Sequence, residues 1–237
     1  MVDSCQAVGR RETVTDYSGY VATQAIVPRA TGQWFDSADG QHWWFDSGSL
    51  ALDFAYTGAM ESRVDNAPVA TADGRSPRES LHSPADLDAW LTDRFPGLEA
   101  ACSERELTDA KVLRRAIARL AVSASDGVAS APGDVDVINL FAATPDIPPV
   151  LTGGSRQAGR GRSRSTQALS SIARDAVRLF GPDAGGRIHA CAADDCSIVY
   201  LDTSRGGNRR WCSMQRCGNR AKVRAHRARA AQHVQQG

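Results

Sequence analysis

Lysine is nearly missing from this 237-residue chain: only Lys111 and Lys222 occur among 28 basic residues, so the positive charge is almost entirely arginine. No stretch approaches the roughly 18 apolar residues of a membrane helix, which argues against a helical membrane protein. Met1 to Arg11 lacks the apolar segment of a secretory signal, so a cytoplasmic location is expected. There is no G-K-[ST] to cradle a phosphate, and no G-x-S-x-G, H-E-x-x-H or paired-carboxylate motif, so no enzyme is expected. Net charge is also small, at +1, but it conceals a division. Residues 187–237 hold ten Lys/Arg against three Asp/Glu, a net +7, and the remainder is −6. A basic tail on an acidic body points to an anionic partner for the tail, nucleic acid first.

What is present suits one medium domain and a small second one, with 42% hydrophobic residues. Residues 1–33 are polar and without periodicity, and read as a flexible extension. His42-Trp43-Trp44-Phe45, an Asp46-Ser47-Gly48 turn, and Leu50, Leu52, Phe54 and Tyr56 at a period of two predict a β-hairpin. Ser83 before Pro84 predicts a capped helix with Leu87, Trp90 and Leu91 inward. Ser103 with Glu106 forms a capping box for a longer helix, whose apolar stripe runs Leu107, Ala110, Leu113, Ile117, Leu120 and Ala121. Its Lys111, Arg114, Arg115 and Arg119 read as a solvated face. A short helix is expected over 134–143, a Gly/Ser/Arg-rich loop over 152–165, and a last body helix capped by Ser165 with Leu169, Ile172, Ala173, Ala176, Leu179 and Phe180 buried. The expected class is α+β, mainly α, with the body over 34–183 and a small module over 184–237. Asp53, with His42 and Trp44 nearby, is the one candidate ligand site in the body.

Four of the six cysteines fall within 27 positions, as two C-x4-C pairs, Cys191/Cys196 and Cys212/Cys217, fifteen residues apart. Paired spacing of this kind in a reducing compartment is metal arithmetic more than disulfide arithmetic. Four thiolates complete a tetrahedral shell around one Zn²⁺ and leave no position open for water, so the site is structural. An iron–sulfur cluster or a redox switch is the competing reading of the same thiols. Cys5 and Cys102 read as unpaired thiols, and His189, His226 and His233 are surplus to a complete sulfur shell.

Arg187 to Ala190 and Ser197 to Leu201 suit strands, so a knuckle, hairpin, knuckle and helix describe a treble-clef-like finger. From Ser213 onward the sequence favours a helix to about Ala231. Arg216, Arg220, Arg224 and Arg227 recur on it at steps of four and three, along one side, with Lys222 and Arg229 nearby. Arginine forks suit phosphates and guanine edges. The nucleic-acid contact set expected from these residues is Arg209, Arg210, Arg216, Asn219, Arg220, Lys222, Arg224, Arg227 and Arg229. The other reading is a protein-interaction adaptor, in which the basic finger grips an acidic protein surface of the transcription machinery.

Arg210-Trp211-Cys212-Ser213-Met214 followed by Cys217-Gly218-Asn219-Arg220 resembles the signature of the CGNR zinc-finger family. Cys191, Cys196 and Leu201-Asp202-Thr203-Ser204-Arg205 are similar to the rest of that finger, and Phe45 to Phe54 resembles the start of the ABATE domain that precedes it in the family. The resemblance implies an actinobacterial transcription regulator, and for a DNA-binding protein the expected location within the cytoplasm is the nucleoid. The resemblance further implies that the four cysteines bind zinc and that the finger contacts DNA. The leading reading adds that the body senses a ligand or a partner, and RNA polymerase or another regulator is the protein partner to expect. Many relatives carry Asn-Thr where this chain has Tyr56-Thr57.

Overall fold

The structure, a computed structural model, describes residues 30–36, 42–58, 60, 79–99, 101–149, 163–182 and 186–235. Strands β1 (Gln33–Asp36) and β2 (His42–Phe45) are followed by helices α1 (Leu50–Ala55), α2 (Pro84–Arg94), α3 (Glu104–Ser125), α4 (Pro132–Ala142) and α5 (Ser165–Phe180). The finger then runs β3 (Ile188–Ala190), β4 (Val199–Leu201), a single π turn (Met214–Gly218) and α6 (Asn219–Gln235). Helices dominate, and each pair of strands forms a separate antiparallel two-stranded sheet.

The expected capping box forms at Ser103, and the expected Ser83 cap proves to be a full box as well. Ser83 and Asp86 exchange hydrogen bonds at the start of α2, and Ser103 and Glu106 do so at α3. The α3 stripe is buried as its period requires, and it packs on α1, α4 and α5. Helix α5 begins at Ser165 rather than being capped by it. The Ser165 hydroxyl instead donates to Glu106, tying α5 to the first turn of α3. Most of the Gly/Ser/Arg-rich loop, 152–162, lies outside the described residues, as do residues 1–29.

Three further expectations are corrected. Leu50 to Tyr56 is not a strand: Leu50–Ala55 is a helix, with Ser49 as its N-cap and all six residues buried. A six-residue helix covered on every side has no polar face, so its sequence carries no helical period and an accidental alternation decides the reading. The true partner of β2 is Gln33–Asp36, with Trp34 opposite Trp44. Residues just before β1 also join the fold, because the Thr31 hydroxyl donates to Asp46 at 2.7 Å and the Gly32 N–H to Asp53 at 2.7 Å. Lastly, Arg114 leaves the solvated face assigned to it. It is buried, donates through both terminal nitrogens to Glu79 at 2.6 Å, and reaches the Thr57 carbonyl at 3.2 Å, so it closes the C-terminal end of α1.

Candidate metal centre

Cys191 and Cys196 sit on the connection between β3 and β4, where the Cys191 N–H donates to the Ile198 carbonyl at 2.8 Å and the Cys196 N–H to Ala193 at 3.0 Å. The hairpin and the first knuckle are thus one element, and β4 with the turn after it fills the fifteen-residue gap that sequence spacing left for a hairpin. Cys212 precedes the π turn and Cys217 lies inside it, with the Gly218 N–H reaching back to the Ser213 carbonyl at 3.0 Å. That wider turn brings the second pair to the first; such turns recur at functional sites.

The four sulfur atoms lie within 4.8 Å of one another, and Cys196–Cys212 and Cys212–Cys217 are separated by 3.8 and 3.4 Å. A tetrahedron of Zn–S bonds about 2.3 Å long has edges of about 3.8 Å, so the donor set and spacing fit one zinc ion. No disulfide joins the described cysteines, and no other such cluster of His, Cys, Asp or Glu occurs among the described residues. Zinc is the structural cofactor. The Cys212 N–H and the Arg220 guanidinium point at the sulfurs of Cys191 and Cys217, at 3.4 and 3.3 Å, and stabilise thiolate charge around the metal. Outside the cluster, burial and then Asp88 push the Cys102 thiol up to about 12, leaving it protonated.

The finger is seamed to the body. Tyr56, at the C-terminal end of α1, donates through its hydroxyl to the Val199 carbonyl and accepts from the Val199 N–H, both at 2.8 Å. Burial raises its phenol well above the ordinary range, so the group stays neutral and keeps both bonds. The Leu201 N–H donates to the Ser47 carbonyl at 2.8 Å. Gly48, at φ +81, packs so closely there that a Cβ would stand 2.6 Å from the Leu201 carbonyl oxygen, and no other residue fits.

The sequence-derived contact residues divide. Arg209 is turned inward: its guanidinium donates to the carbonyls of Asp46, Trp211 and Cys212 and lies 4.1 Å over the Tyr200 ring. Arg216 is buried 5.0 Å over the Trp43 ring. Both therefore depart from the expected surface set, because a buried guanidinium can satisfy its fork with carbonyls and aromatic faces. Arg220 and Arg224 share Asp195 of the first knuckle, at 3.4 and 2.9 Å. Arg210, Asn219, Lys222, Arg227 and Arg229 are exposed. The body set also separates, since His42 and Trp44 face solvent while Asp53 is fully buried. Its carboxylate accepts from Ser47 at 2.6 Å and from Gly32, and pairs with buried Arg94 at 3.3 Å. Burial still raises its pKa against those three partners. Asp53 holds three segments together and offers no free oxygen to a ligand beside His42.

Fold and site define a helical body that carries a zinc-built finger. Residues 48–182 match the ABATE family, described as a putative stress-induced transcription regulator, and residues 187–230 match the CGNR zinc finger. The first match covers more than half of the chain, which therefore belongs to the ABATE family, with a CGNR zinc finger at its C-terminal end. A comparison with curated proteins finds no match. No helix among the described residues is long and apolar enough to cross a membrane.

Proposed function

We propose that the chain is a DNA-binding transcription regulator that presents α6 to DNA while the body receives a signal. The carrying observation is α6 itself: every residue from Lys222 to Ala231 is exposed, and no acidic residue follows Asp202 anywhere in the chain. Asn219, Lys222, His226 and Arg229 recur at steps of three and four and so share a face. Arg220 and Arg224 lie on another side, where Asp195 partly offsets their charge. The DNA face is accordingly Asn219, Lys222 and Arg229, flanked by Arg210 and Arg227, with Arg220 and Arg224 in support. Zinc and the Asp195 contacts set the direction of the helix. The cations supply phosphate attraction.

Gel shifts over a salt series test this. Removing two phosphate contacts by Lys222→Ala with Arg229→Ala lowers the salt slope by about 2. A slope and affinity equal to the parent's contradict the reading. For the body's part, a cavity of about 340 Å³ is lined by Ser49, Phe95, Asp146, Arg174, Asp175 and Arg178, beside the 46–49 turn that carries the finger. A thermal-shift screen of metabolites against the full chain checks it, and no stabilisation by any compound argues for a scaffold instead.

One observation favours the adaptor reading. Arg220 and Arg224 already grip a carboxylate of this protein, so the same forks can hold an acidic protein surface. Capture of RNA polymerase that survives nuclease treatment, with no footprint on DNA, is the result that selects it.

A further inference from the structure

The outward face of the first hairpin is built differently from a solvated strand face. A two-stranded sheet with one buried side ordinarily turns polar side chains to water. Here Phe35, Trp43 and Phe45 pack inward, while Trp34 and Trp44 remain 57% and 42% exposed. Trp34 stacks on His42 at 4.3 Å between ring centroids and meets Trp44 edge-on at 5.4 Å. The Trp44 ring is set over Gly32, at φ +113, where a Cβ would come within 2.3 Å of it. From Trp44 a groove of about 610 Å³ runs to the second knuckle, where Arg210, Trp211 and Met214 line it. Arg210 lies 5.2 Å over the Trp211 ring.

We propose that this hairpin face and its groove form a stacking platform for unpaired nucleobases, so that the protein binds single-stranded nucleic acid beside the duplex contact of α6. The proposal rests on the reading of the partner as nucleic acid and deepens it. Bases need flat π-faces, and their backbone needs cations nearby; aromatic rings interleaved with arginine supply both. The carboxylate in the groove, Asp46, is engaged by the Thr31 hydroxyl and the Gly48 N–H, at 2.7 and 2.9 Å. Met214 opens the π turn that leads straight into α6, so platform and basic helix are continuous. A proline-rich peptide would also use the aromatic rings but would gain nothing from the cations.

The test measures fluorescence anisotropy of the full-length, zinc-loaded protein with a labelled oligothymidine strand, an abasic strand of equal length, and a duplex. The oligothymidine strand should bind about tenfold or more tightly than the abasic one. Trp44→Ala should erase that difference and Trp34→Ala should reduce it, with zinc content, circular dichroism and duplex affinity unchanged. Equal binding of the two single strands by the parent protein, or a difference that survives both substitutions, overturns the proposal while leaving duplex binding to stand. Binding of none of the three overturns it together with the DNA reading.

Discussion

In the body, α3 alone buries Leu107, Leu113, Ile117 and Leu120 against its neighbours, whereas the finger's sheet buries little beyond Ile188, Ile198, Val199 and Tyr200. Each fully buried side chain of that size contributes about 1.5–3 kcal/mol. Four of them cannot order a segment of some fifty residues against its chain entropy. The four cysteines supply the difference, because metal binding and folding of such a module are one event. Order in the body is therefore intrinsic, while order in the finger is conditional on zinc and on the seam through Tyr56 and Gly48.

Breaking the metal side of the comparison gives the largest effect. Cys212→Ser should abolish stoichiometric zinc and forfeit on the order of 10 kcal/mol of finger folding, seen as protease sensitivity confined to residues after 186. The body's helices should persist by circular dichroism. Breaking the apolar side comes next: Leu113→Ala should destabilise the body by about 2–5 kcal/mol in denaturant unfolding while zinc content stays at one ion. The seam is smaller. Tyr56→Phe leaves the Val199 N–H and carbonyl buried without partners, a loss of about 1–3 kcal/mol, and should make chelation less visible in the body's melting.

The smallest effect is linked to pH. Partial burial opposes ionisation of Glu79, but the Arg114 guanidinium and the Leu81 N–H hold its pKa below the ordinary value. A carboxylate lowered on folding stabilises above its unfolded pKa, about 4.3, and that contribution disappears as pH falls through the lower folded value. The stability gap between the parent and Glu79→Gln should therefore narrow below about pH 4. With Glu79 over a third exposed, this pH-dependent part is no more than about 1 kcal/mol.

The same contrast explains what could be read from the sequence. Helices α2, α3 and α5 were legible because each has a wet and a dry side, so stripes such as Leu107 to Ala121 show a period. The metal ligands were legible because thiolate chemistry restricts spacing more tightly than packing does. Leu50–Ala55 was not, since a helix buried all round has no period to show. Nor was Gln33–Asp36, four residues whose strand character depends on pairing with β2. The inward turn of Arg114, Arg209 and Arg216 was hidden for a related reason. Charge in a sequence reports the residue type, whereas burial of a guanidinium depends on carbonyls, carboxylates and rings brought from distant positions, such as Thr57, Glu79 and Trp43. Splitting of His42 and Trp44 from Asp53 follows from the misread strand, because a helix turns Asp53 inward where a strand would have placed it beside them.

Hydrogen exchange of the full chain before and after chelation tests the central claim most directly. On metal removal, protection should vanish over 187–218 and weaken over 46–57, where the seam lies, while α3 and α5 exchange as before. Retained protection over 187–218, in protein shown by elemental assay to hold no metal, would contradict the account.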